Sequence, residues 1–171
     1  MDEDYPEVGG YHLLVQDRRH SSEVNPQTLA TTREHIEMVV AACMDAEFEA
    51  YKTLPLIDEK KLLPWYASNG TAYKDLIHTL QKVTQRSWTL TNFHNPSTKR
   101  LISMTVKEIR EGTTVVRTTE YWYLRWWSTV EGKYRNPYYR ETSHHTYVLK
   151  QHGDDWLIEE NIQPPSLSNR Q

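Results

Sequence analysis

The stretch 113–128, TTVVRTTEYWYLRWWS, constrains the chain most: β-branched and aromatic residues dominate it and no glycine or proline interrupts it. Such a run prefers a pleated, half-buried surface. Taken in twos, it sets Val116, Thr118, Trp122, Leu124 and Trp126 on one face and Val115, Arg117, Thr119, Tyr121, Tyr123, Arg125 and Trp127 on the other. The first face is apolar and the second amphipathic. The preceding stretch 101–110 alternates as well, with Ile102, Met104 and Val106 against Ser103, Thr105 and Lys107, and Glu111-Gly112 supplies a hairpin turn. Gly132 and Asn136-Pro137 turn the chain again, and 138–151 returns as a third strand. His152-Gly153-Asp154-Asp155 then leads into Trp156-Leu157-Ile158, and Pro164-Pro165 ends any ladder. The expectation is four antiparallel strands in a meander.

The N-terminal half reads as packing for that sheet. Residues 1–30 combine an acidic opening, Gly9-Gly10, an apolar patch at Tyr11, Leu13, Leu14 and Val15, and a polar run to Asn25-Pro26, the pattern of a flexible arm or linker. Tyr11 to Val15 is readable as an edge strand, a segment lying on the body, or a tether to a neighbouring domain. Thr31-Thr32-Arg33-Glu34 forms a capping box, and Ile36, Val39, Val40, Cys43, Ala46, Ala50, Tyr51 and Leu54 keep a helical period until Pro55. Glu37, Asp45, Glu49 and Lys52 form its solvated face. A second, shorter helix is expected from Asp58, broken by Pro64, and a third over about 71–85 buries Tyr73, Leu76, Ile77, Leu80 and Val83. The stretch 87–95 reads as a short strand or extended connection. The folded domain is expected over 31–164, with 165–171 a disordered tail.

Composition narrows the class. A chain of 171 residues builds one domain with a single core, and although 37% hydrophobic residues is low, six Trp and eleven Tyr make that core aromatic. The net charge is −3; residues 1–7 hold four acids and no base, so subtracting them leaves +1. A body so near neutrality argues against nonspecific nucleic-acid binding. The one cysteine, Cys43, excludes an internal disulfide and a multi-cysteine metal site, and its apolar helical setting reads as a buried small hydrophobe. No stretch approaches 18 apolar residues and no basic-then-apolar signal opens the chain, which predicts a soluble, cytoplasmic protein without membrane insertion.

Helices first and strands afterwards imply an α+β domain: one long helix and two shorter ones on one face of a strongly bent antiparallel sheet, a cone. The closing pattern 147–158, Tyr-Val-Leu-Lys-Gln-His-Gly-Asp-Asp-Trp-Leu-Ile, resembles the strand, glycine turn and Trp-x-Ile ending of the nuclear transport factor 2-like (NTF2-like, cystatin-like) superfamily, which includes SnoaL-like proteins and ketosteroid isomerase relatives. The likeness spans about 31–164. Within the superfamily, 117–123 and 146–149 look most like the paired strands of the domain at the intermembrane-space end of the plastid-division ARC6 proteins and their bacterial relatives. The resemblance implies the cone fold and leaves function open, since catalytic and noncatalytic members share it.

In catalytic relatives an Asp, Tyr or His projects into the cone, so the candidates are Tyr66, Glu120, Tyr121, Tyr123, His144, His145 and Tyr147. Glu120 lies in phase with Trp122 and Trp126; facing inward it is a buried carboxylate in an aromatic pocket, a possible general base, and otherwise it pairs with Arg140 on the next strand or sits at the sheet margin. His144 and His145 point to opposite faces and cannot converge on one atom. A strand histidine of this kind is more often a hydrogen-bonded structural residue than a catalytic one. With no His-x-His or His-x-x-x-His pair, glycine-rich phosphate loop or Gly-x-Ser-x-Gly elbow, neither metal nor cofactor is expected.

Aromatic and basic residues interleave over 121–127 and recur as Lys133, Tyr134, Arg135, Tyr138, Tyr139 and Arg140. Trp, Tyr and Arg carry much of the energy of protein interfaces, and a second aromatic face on a sheet that already covers a core calls for a partner. The binding residues expected are Tyr121, Tyr123, Arg125, Trp127, Tyr138, Arg140 and Tyr147. The resulting expectation is a noncatalytic protein-interaction or accessory module holding a partner protein, or its own copy as a homodimer. The alternative is a small isomerase, dehydratase or hydrolase using Glu120, Tyr121 or His145 on a small hydrophobic ligand. Single-stranded nucleic-acid binding, which needs a positive groove beside the aromatic band, ranks last.

Overall fold

The computed structural model describes residues 26–164, with side chains from residue 31. Helix α1 runs Pro26–Lys52 and buries Ile36, Val39, Val40, Cys43, Met44 and Tyr51 at three- and four-residue spacing. It starts ahead of Thr31, so the Thr-x-x-Glu sequence lies inside the helix and Thr32 is buried. Proline suits a first helical turn, where its missing N–H has no acceptor to lose. Where a second helix is expected there is a single 3₁₀ turn, Glu59–Lys61, with Asp58 accepting from the Lys60 amide. None of its residues is buried, so it has no apolar face to prolong it. Helix α2, Thr71–Gln85, buries Ala72, Tyr73, Leu76, Leu80 and Val83 and leaves Ile77 partly covered. The expected arm before residue 26 and tail after 164 lie outside the described residues.

Among the described residues seven strands follow: β1 Trp88–Thr89, β2 Thr98–Arg110, β3 Thr113–Leu124, β4 Trp127–Ser128, β5 Lys133–Tyr134, β6 Tyr139–His152 and β7 Asp155–Ile162. The long ones form an antiparallel meander, β2-β3-β6-β7, and the short ones a separate sheet, β1-β4-β5. The β2–β3 turn is Glu111-Gly112 with φ of 50° and 73°, the two-residue hairpin loop whose positive φ angles match strand twist.

Two departures from simple alternation have physical causes. Register shifts in β2 between Leu101 and Ser103 and between Val106 and Glu108 insert extra residues. Ile102 is one of them and is 47% exposed, not inward-facing as its sequence phase suggests, while Leu101 packs on the core. The run 113–128 is not one strand either. The Arg125 amide is taken by Ser97 Oγ (2.8 Å) and its carbonyl by Asn95 Nδ2 (2.9 Å), so side chains of the preceding turn replace the ladder there. The chain re-pairs as β4 in the small sheet.

Both helices lie on the inner face of the long sheet. Ile36, Val40, Cys43 and Leu80 share one core with Val116, Trp122, Tyr147, Leu149, Trp156 and Ile158. Arg33 Nη1 donates to the Val106 carbonyl (2.8 Å) beside the second bulge, and segment 65–67 pairs along β7 through Ala67 N to Ile158 O (2.9 Å) and Ile158 N to Trp65 O (2.8 Å). That pairing covers an edge that would otherwise be an aggregation template. Gly70, at the start of α2, has no room for a side chain: a Cβ there would lie 2.6 Å from the Glu159 carbonyl oxygen. Among the described residues no helix is long and apolar enough to cross a membrane.

Candidate functional site

Alternation along β3 and β6 points Thr118, Glu120, Trp122, Ser143, His145 and Tyr147 inward, and all are buried. Glu120, 0% exposed, accepts from Tyr147 OH (2.6 Å) and Thr118 Oγ1 (2.6 Å) on Oε2 and from Trp122 Nε1 (2.8 Å) on Oε1. The expected pair with Arg140 is not made: Arg140 is opposite Tyr123 on the other face, and neutral donors satisfy the carboxylate instead. Burial holds the Tyr147 hydroxyl far above its ordinary pKa, so it serves as a donor.

His145, 7% exposed, extends this network. Its Nδ1 is 2.8 Å from Asn161 Oδ1 and its Nε2 is 2.9 Å from Ser143 Oγ and 3.4 Å from Glu120 Oε1, while its ring stacks on Tyr147 with centroids 5.7 Å apart. A proton on Nδ1 suits the Asn161 carbonyl and leaves Nε2 to accept from Ser143. His144 lies exposed on the outer face beside Thr119 Oγ1. Glu120 and His145 are thus brought together, but Tyr121, the third acid–base candidate, faces the opposite way.

Between α2 and the inner sheet face lies an open cleft of about 430 Å³. Its wall includes Tyr51, Trp88, Trp122, Trp126 and Tyr139, with Tyr66, His145, Asn161 and Glu47 as polar groups. Tyr51 packs edge-on to Trp122 and Trp126, at 6.4 and 5.4 Å between centroids. Glu120 stands behind this lining and is closed off by its three donors. Two acids line the cleft, Asp75 and Glu47, and Glu47 Oε2 accepts from Tyr51 OH (2.6 Å). Burial pushes the Glu47 carboxyl up to about 7, an effect the Tyr51 bond opposes and the negative charge of Glu120 reinforces. Tyr66 OH accepts from Cys43 Sγ (3.1 Å), and burial drives both groups above their ordinary pKa.

Glu47 is the site residue that the sequence reading misses. Its spacing, four after Cys43 and four before Tyr51, puts it on the buried stripe of α1 and carries the signal.

The outer face gathers most of the predicted binding residues. Arg100 lies over the Tyr121 ring (5.9 Å), Tyr123 meets Tyr138 edge-on (5.6 Å), Arg125 lies over Tyr134 (4.6 Å) and Tyr138 (5.7 Å), and Arg140 stands opposite Tyr123 on the same face. Trp127 is set apart in the small sheet against Tyr134. Tyr147 does not belong to this group: it is 1% exposed, on the inner face. Tyr121, Tyr123 and Arg125 are half-buried and Tyr138 is 48% exposed. Among the described residues no three His, Cys, Asp or Glu side chains are grouped to hold a metal.

This architecture is the NTF2-like cone. No protein-family model and no curated protein sequence matches the chain. Among solved structures, it is similar to the intermembrane space region of chloroplast protein ARC6, at 14% identity over 78% of this chain and 96% of that one, with a TM-score of 0.54. It is also similar to the association domain of C. elegans CaMKII, at 12% identity over 82% of this chain and all of that one, with a TM-score of 0.52. At such identities the likeness is one of fold.

Proposed function

We propose that the chain is a noncatalytic association module that pairs with a second copy of itself through the outer face of the four-stranded sheet. The observation that carries this reading is the Tyr-Arg ribbon on β2, β3 and β6: rings and guanidinium groups ordered against one another, yet left half-exposed on a face that neither helix covers. Groups already ordered lose little entropy on binding, and Tyr and Arg are the residue types that dominate interface energy. A face bearing both cations and π surfaces is complementary to its own copy across a two-fold axis. The C. elegans neighbour is called an association domain, and its use of the fold is an analogy that supports the same use here. Light scattering on the chain with and without the paired substitutions Tyr121→Ser and Tyr123→Ser tests it.

One observation favours a second reading, an isomerase, dehydratase or hydrolase of small apolar substrates: the cleft is open and carries a carboxyl poised near neutrality. In that reading Glu47, not Glu120, exchanges the proton, because the Glu120 oxygens are already occupied. A turnover screen over apolar ketones and epoxides tests it, with Glu47→Gln required to abolish any activity found.

A further inference from the structure

We infer that the cleft between α2 and the inner sheet face binds a small organic cation, an alkylammonium or guanidinium group carried on an apolar body. The inference uses the cleft alone and stands whether or not the chain self-associates or turns over a substrate. A volume of about 430 Å³ falls in the range of small-molecule sites. Its wall is rich in aromatic rings, whose faces attract cations. One ring of that wall already does so: the guanidinium groups of Arg86 and Arg135 lie 5.1 and 5.2 Å from the Trp88 centroid.

Charge selects the same class. Glu47 and Asp75 line the cleft, Glu120 lies behind it, and Tyr139 of its wall donates to Glu141 at 2.6 Å. The opposing cations, Arg86 and Arg135, are engaged on Trp88. Around Glu47 stand Cys43 and Tyr51 of α1, Tyr66 of the connecting loop, Glu120 of β3 and Tyr139 and Tyr147 of β6, none of which is a cation, while His145 of β6 and Arg86 line the same cleft. A partly buried carboxylate that lines a cleft with no cation paired to it can gain from a charged partner. Here one donor among the described residues, Tyr51 OH, reaches it on Oε2, leaving Oε1 as an acceptor for a ligand. An anion would meet Glu47 and Asp75, and a neutral apolar ligand would give the ionised Glu47 no partner.

The test is calorimetric titration of the full chain with benzyltrimethylammonium and with phenylacetate, a similar ring of opposite charge. The ammonium is expected to bind and the carboxylate not. Because the quaternary cation does not titrate, its affinity reports the protein: with Glu47 at about 7, ionisation between pH 6 and pH 8 tightens binding roughly tenfold. Glu47→Gln is expected to weaken binding and flatten that pH profile. Phenylacetate binding as tightly as the ammonium, an ammonium affinity unchanged from pH 6 to pH 8, or absence of ammonium binding at millimolar concentration each overturns the proposal. The pH series on the unmodified chain keeps the test independent of whether the variant folds.

Discussion

Replacing Glu120 by Gln tests whether this carboxylate is a structural acceptor. In the folded chain it receives three hydrogen bonds, from Thr118, Trp122 and Tyr147, with no exposed surface. A glutamine offers one acceptor oxygen and one NH₂ group. With its oxygen toward Thr118 and Tyr147, the amide confronts the Trp122 N–H donor to donor. A buried donor without a partner costs about 1–3 kcal/mol, and turning two charge-assisted bonds into neutral ones costs about 1 kcal/mol more. The variant is therefore expected to lose about 2–4 kcal/mol, read from urea unfolding by tryptophan fluorescence. A double-mutant cycle locates the loss. Trp122→Phe removes the N–H, and its cost should fall by about 1–2 kcal/mol when combined with Glu120→Gln, where that group is already unpaired. A Glu120→Gln variant within about 0.5 kcal/mol of the parent, or a strictly additive cycle, would refute the reasoning.

Three further outcomes follow from particular contacts. Glu47 holds its proton to about pH 7 in the folded chain but to about 4.5 when unfolded, so its contribution to stability is full below the unfolded value and is lost as pH rises through 7. Relative to Glu47→Gln, the parent should thus lose about 2 kcal/mol between pH 5 and pH 8 in urea unfolding; a constant difference would contradict the burial of that carboxyl. Gly70→Ala forces a Cβ against the Glu159 carbonyl and should destabilise the fold by about 1–3 kcal/mol, seen as a lower melting temperature. Cys43, fully buried with its thiol pushed up, should react with a thiol reagent only as fast as the protein unfolds.

The sheet was legible because period-two alternation over 113–124 and 139–149 survives into burial: the face carrying Val116, Trp122 and Leu124 is the core face, and His144 and His145 do separate. What escaped was set by contacts distant in sequence. The side chains of Asn95 and Ser97 end β3 at Leu124, a break invisible in a run of good strand formers. The β2 bulges, one of them beside a carbonyl held by Arg33, cannot be read from alternation. At the site, the inward phase of Glu120 was readable, but not that three neutral donors would close it. Glu47 was overlooked because an acid on an amphipathic helix is ordinarily assigned to water, although its spacing from Cys43 and Tyr51 says otherwise.

Sedimentation of the full chain across a range of concentrations tests the association claim most directly. The account predicts a species of twice the chain mass that Tyr121→Ser with Tyr123→Ser converts to a folded single chain. A parent protein of single-chain mass at every concentration, or a double-mass species indifferent to those substitutions, would contradict it.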